Sequence, residues 1–156
     1  MVLTYKYRLL PFERQHAILN EILEKQRQLY NGALEERIGC YRVTGKSLSY
    51  ITQALSLKTI RADDPEGYGA IPVCISRATL QRLHHAFNGF FRRIKQGGRP
   101  GFPRFKGRER WRSFGFVEFS GIQFDGKRLR FKGMPGGLRV YLHRSIPDGF
   151  VLSVCA

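Results

Sequence analysis

The chain has 156 residues, 42% of them hydrophobic, enough for one good core or two small ones, which excludes a disordered tail. Twenty-seven Lys and Arg against twelve Asp and Glu leave a formal net charge of +15. Such a surplus repels itself unless an anionic partner neutralises it, so nucleic acid is the first candidate.

The charge is uneven. Residues 1–76 hold ten basic and eight acidic side chains, whereas residues 77–144 hold seventeen and three. A solvated, non-binding surface usually mixes signs. Cys40, Cys74 and Cys155 form no Cys-x-x-Cys pair, so the spacing predicts neither a disulfide framework nor a zinc knuckle and fits a reducing, cytoplasmic setting. Lys6 and Arg8 interrupt the apolar run at the N-terminus, which argues against a signal peptide. No segment approaches the roughly 18 apolar residues of a membrane span, so no membrane partner is expected.

Residues 2–9, "VLTYKYRL", alternate as a strand with Lys6 and Arg8 on its polar face. Pro11 suits the first turn of a helix, and Ile18, Leu19, Ile22, Leu23, Tyr30, Ala33, Leu34 and Tyr41 recur at helical spacing. A long helix is predicted from about 12 to 42, bent near Asn31-Gly32. A turn at Gly45 leads to a short helix beginning at Ser47 or Ser49, and "ADDPEGYGAIP" reads as a loop. A third helix has Ser76 as N-cap and stops at Gly97-Gly98; Leu80, Leu83, Phe87, Phe90, Phe91 and Ile94 form its apolar, core-facing stripe.

Beyond residue 112 the period becomes alternating. Strands are predicted at 113–119, at 122–131 with Asp125-Gly126 as a tight hairpin turn, at 138–143 and at 150–156. A lone N-terminal strand is marginal, so it should join the later strands around an inserted helical block, an α+β arrangement. The last strand, "FVLSVCA", is apolar to its final residue, as if the chain were cut short.

The carboxylates do not cluster: five sit at exposed-looking positions of the first helix, Asp63 and Asp64 precede Pro65, and Asp125 is a turn residue. His84 and His85 are adjacent, so on a helix they point about 100° apart and cannot grip one metal. "GGRPG" lacks the Gly-Lys-Ser/Thr ending of a phosphate loop. No catalytic residue and no metal ligand is assigned.

The positive chemistry lies in "GGRPGFPRFKGRERWR", residues 97–112, with five Arg and one Lys against a single Glu. Arg99, Arg104, Lys106, Arg108, Arg110 and Arg112 recur at near-even spacing and would tend to share a side of an extended segment, within reach of successive phosphates. Phe102, Phe105 and Trp111 interleave with them. They could stack on unpaired bases or anchor the segment on the protein's own core, with Phe102 and Phe105 the expected anchors.

The order of these pieces resembles the N-terminal part of TnpB, the OrfB-type transposon-encoded RNA-guided DNA nucleases related to type V CRISPR effectors. It rests on "YKYRLLP", "QLYNGALEERIGCYRVTGKSLSY" and "LQRLHHAFNGFFRRIKQGGRPGFPRFKGRERWRSF". The resemblance implies a wedge domain, a small antiparallel oligonucleotide-binding-like β-barrel, from residues 1–10 plus 112–156. It implies a helical recognition domain at 11–96 and a basic linker at 97–111. The partners it implies are guide RNA and target DNA, with the protein a monomer or dimer on RNA. Lys6, Arg8, Arg104 and Lys106 would contact RNA backbone, and Tyr50, Arg77 and Gln81 the motif-bearing DNA duplex. The family's RuvC-like nuclease and its zinc element come later in its sequence and are not in this one, so Mg and Zn are expected only there. Leu10 replaces the Tyr that commonly precedes Pro, and Arg77 stands where some members carry Gln. A stand-alone binding module or guide-dependent repressor is the alternative, and a basic structural protein of ribosomal type a third.

Overall fold

A computed structural model describes residues 3–118 and 121–148. The order is β1 (Arg8–Leu10), α1 (Glu13–Thr44), α2 (Tyr50–Asp63), α3 (Val73–Lys95), a 3-10 turn (Arg108–Arg110), β2 (Ile122–Phe124), β3 (Arg128–Phe131) and β4 (Leu138–Tyr141). The chain is α+β.

Helix α1 runs unbroken for 32 residues. It continues through Asn31-Gly32, where the Asn31 amide is spent on a distant segment rather than on the local backbone. Near the start of α1, Gln15 is 1% exposed. Its Oε1 accepts the Phe12 N–H, and its Nε2 donates to the carbonyls of Pro135 and Gly137, each at 2.8 Å. That one side chain ties the helix to the β3–β4 loop. Gly45, at φ +69°, closes the helix by donating to the Tyr41 carbonyl. Ser49 caps α2 by accepting the Thr52 N–H. Arg61 holds the following loop through the carbonyls of Tyr68, Gly69 and Ile71.

Helix α3 begins at Val73 behind Pro72, one turn before the predicted cap. Ser76 is buried instead, facing Gln26 of α1. Gln26 also accepts the Thr79 hydroxyl at 2.7 Å. The stop at Gly97, φ +72°, is where the sequence places it.

Two apolar clusters make the core. Leu29, Tyr30, Ala33 and Leu34 of α1 pack with Leu57 of α2, with Leu80, Leu83 and Phe87 of α3, and with Trp111. Ile22, Cys74 and Ile75 meet Ile122, Phe131, Met134 and Leu138 under the sheet. Tyr41, predicted as part of the stripe, is exposed.

The sheet order is β1-β4-β3-β2, antiparallel throughout and open among the described residues. The hairpin turn is as predicted: Asp125 accepts the N–H groups of Lys127 and Arg128, and Gly126 takes φ +90°. Three strand assignments shrink. The first covers only 8–10 and the last described one only 138–141. Residues 113–118 form no strand, although Phe114 and Phe116 do fall together against the second cluster. Arginines of α3 hold the ends of this stretch: Arg82 donates to the Ser113 carbonyl and Arg77 pairs with Glu118. Phe119 and the predicted strand at 150–156 lie outside the described residues.

Gln15→Ala strands two carbonyls without their donor and should lower stability by about 1–3 kcal/mol. Urea denaturation should show a lower midpoint at unchanged slope. A midpoint equal to that of the unaltered chain would show that Gln15 does not join helix to sheet.

Candidate nucleic-acid interface

The basic segment is seated by its backbone. Asn31 Oδ1 accepts the Lys106 N–H at 2.8 Å while its Nδ2 donates to the Lys106 carbonyl at 3.0 Å. Arg27 adds a third bond to that carbonyl at 3.1 Å. Arg27 is itself aimed by Glu24, at 2.9 and 2.6 Å. Hydrogen bonds from Arg27, against the opposing effect of burial, push the Glu24 carboxyl down to about 2. Glu24 also faces Arg108 at 3.7 Å, so one carboxylate offsets the charge at the seat.

Further along, Trp111 is 4% exposed, its ring 5.1 Å from Tyr30, with the Arg82 guanidinium 4.1 Å above it. Phe102 touches Phe87 and Phe90 edge-on. Phe105, expected as an anchor, is 54% exposed. The anchors are therefore Trp111, Phe102 and the backbone of Lys106.

This seating rearranges the even row of charges. Arg99, Arg104 and Arg110 are exposed and in no ion pair among the described residues. The Lys106 ammonium lies 5.8 Å from the Tyr30 ring centre. The 3-10 turn carries Arg108 toward Glu24, and Arg112 folds back on Glu109 at 3.5 Å. Lys6 and Arg8 are both exposed at the β1 end of the sheet.

A second basic surface escapes the linear reading. The register pairs Arg8 with Tyr141, Leu10 and Arg128 each with Arg139, and Gln123 with Arg130. Directly opposed residues share a face, so Arg8, Arg128, Arg130 and Arg139 all lie on the side away from the core. Like charges directly opposite destabilise a ladder, and Arg128 stands directly opposite Arg139. Arg128 donates to the Gly136 carbonyl and Arg130 reaches Asp125 at 3.4 Å. Arg139 has no partner among the described residues. The signal was present in "KRLRF" and "LRVY", but only the β3–β4 register, across the loop at 132–137, aligns the two.

Tyr50, Arg77 and Gln81 come together. With Leu55, Val117 and Glu118 they line an open groove of about 460 Å³ between the starts of α2 and α3. Glu118, which sequence reasoning did not single out, holds Arg77 at 2.7 Å. His84 lies beside the groove with its ring 6.0 Å from Tyr50 and its Nε2 3.0 Å from the Asn88 amide. Burial, with Arg37 and His85 adding to it, lowers its pKa, so the imidazole is neutral at pH 7. Among the described residues no group of His, Cys, Asp and Glu is placed to hold a metal ion.

Residues 1–46 match the family model of the helix-turn-helix domain of OrfB proteins of the IS605 type. The match supports an N-terminal part of an OrfB/TnpB-type transposon protein. The matched span holds β1 and α1, and α2 begins at Tyr50, just past it. No curated protein matches the chain.

The seat should respond to acid. A carboxylate with a depressed pKa contributes stability above its unfolded value and loses it as pH falls toward the folded one. For Glu24 that window runs from about pH 4.5 down to about 2. Emission of Trp111, the single tryptophan, should shift to the red across this window, and Glu24→Gln should flatten that change. An identical titration in the variant would show that Glu24 does not seat the segment.

Proposed function

We propose that this chain is the nucleic-acid-binding part of an OrfB/TnpB-type RNA-guided DNA nuclease, which holds a guide RNA and reads a short duplex motif in the target. The helix-turn-helix match suggests a DNA-binding role in a transposon-associated protein. The observation that carries the finer reading is the groove. Tyr50 of α2 and, one helical turn apart on α3, Arg77 and Gln81, each expected on the motif-bearing duplex, line it together.

The chemistry of the groove suits base edges. Arg donates two parallel hydrogen bonds to guanine O6 and N7, Gln pairs with adenine N6 and N7, and Glu accepts from cytosine N4. Glu118 pairs with the Arg77 guanidinium at 2.7 Å at the groove's edge; in this reading Arg77 is the guanine reader and Glu118 its positioning partner. The flanking basic surfaces then act without reading sequence. Lys6, Arg8 and the sheet-face arginines meet phosphates on one side, and Arg99, Arg104, Lys106, Arg108, Arg110 and Arg112 meet them along the linker.

In this reading the four strands are the described portion of the wedge barrel, residues 1–10 and 112–156, with the recognition helices at 11–96 and the linker at 97–111. Cleavage, with its metal ions, belongs to a nuclease part that these residues do not supply. No described helix is long and apolar enough to cross a membrane.

The test is selection from duplexes with a randomised stretch, using the full chain with its co-purified RNA. The unaltered protein should enrich one short motif containing guanine. Arg77→Gln should move that position toward adenine, a change in discrimination of about 1–3 kcal/mol. No enrichment by the unaltered protein, or the same motif from both proteins, would overturn the reading.

A further inference from the structure

We propose that Phe91 and Phe102 form a stacking site for an unpaired nucleobase, a single-strand binding surface separate from the motif groove and from the sheet face.

The site begins with a continuous set of rings. Phe87, 7% exposed, is its floor. Phe91 packs beside it with centroids 6.2 Å apart and planes inclined by 29°, and Phe102 meets it edge-on at 5.6 Å. Phe90 bridges the two outer rings, 5.3 Å from each. The floor fixes the outer rings, yet Phe91 is 46% and Phe102 47% exposed, with Ile94 beside them at 48%. Single exposed apolar side chains are ordinary, whereas contiguous ones mark a binding surface.

The surroundings select the partner. Arg92, Arg93 and Lys95 lie on the same last turn and a half of α3, and Arg99 follows; all are exposed and none is in an ion pair among the described residues. No carboxylate occurs between Glu66 and Glu109 in the sequence. The helix C-terminus carries only about half a negative charge, so this set far exceeds what the helix end neutralises. A second copy of the chain would bring like charge against like. An intact duplex offers phosphate but keeps its base faces stacked on one another. An unpaired strand offers both a phosphate for the cations and a flat face for the rings, and aromatic stacking accepts any base. The site does not depend on the OrfB reading, since any unpaired strand satisfies it.

The full chain is titrated against three fluorescein-labelled ligands, a twelve-residue oligothymidylate, an abasic strand with the same number of phosphates, and a twelve-pair duplex. Phe91→Ala should weaken oligothymidylate binding about tenfold or more. It should leave the abasic strand and the duplex within twofold and the salt dependence unchanged. Phe91→Trp preserves the packing and adds a reporter. Its additional emission should be quenched by oligothymidylate and not by the abasic strand, and this measurement stands alone if the alanine variant loses its fold. Equal weakening of all three ligands, no weakening of oligothymidylate, or no differential quenching would each overturn the site. None of these outcomes touches motif selection in the groove.

Discussion

The arrangement depends on one amide facing another. Asn31 gives and takes a hydrogen bond with the backbone of Lys106, at 3.0 and 2.8 Å, in the manner of a neighbouring strand. Each such bond contributes only about 0.5–1.5 kcal/mol net, but their position matters more than their strength. A segment with six cations and one carboxylate between residues 97 and 112 repels itself, and side chains that must face an anion cannot also be its anchors. Fastening the backbone resolves the conflict. The Glu24–Arg27 pair reinforces the same carbonyl, and Trp111 seals the far end between Tyr30 and Arg82.

The same logic extends along α1. Gln15 fixes the β3–β4 loop, Gln26 the start of α3, Asn31 the basic segment, and Arg37 the side chain of Gln53 on α2 at 2.7 Å. Apolar burial brings these elements together but tolerates sliding, whereas a buried polar group left unpaired is penalised and so selects one register. Arg37 is the most demanding of them. Burial lowers its pKa; its Nε donates to Gln53 and its guanidinium lies 5.0 Å from the centre of the Phe87 ring, while its Nη2 is buried without a hydrogen-bond partner among the described residues. A single helix thus sets where the groove, the sheet face and the linker stand.

Features that depend on local chemistry were legible in the sequence. Gly45 and Gly97 need positive φ, Ser49 is an N-cap, and Asp125-Gly126 makes a tight turn; each acts within four residues of itself. The α3 stripe was legible in the same way for Leu80, Leu83 and Phe87. Features that depend on a distant partner were not. Asn31 before Gly32 reads as a weak point until Lys106 is brought beside it, and Ser76 reads as a cap until Gln26 buries it. Residues 113–118 alternate as a strand would, yet arginines of α3 hold them. The sheet-face arginines were countable, but their alignment required the register. Charge located the interface at the level of segments; the groove of Tyr50, Arg77 and Gln81 followed from resemblance alone, and Glu118 became visible only through its ion pair.

The central claim, that the basic segment is held by its backbone at Lys106 with Arg99, Arg104 and Arg110 left exposed, is tested most directly by amide hydrogen exchange of the full chain in the absence of nucleic acid. The Lys106 amide, bonded to Asn31, should be protected to the degree of α1 core amides such as that of Leu34, while those of Gly101 and Arg104 exchange freely, and Asn31→Ala should abolish the protection at Lys106. A Lys106 amide that exchanges as fast as its neighbours in the unaltered protein would contradict the account.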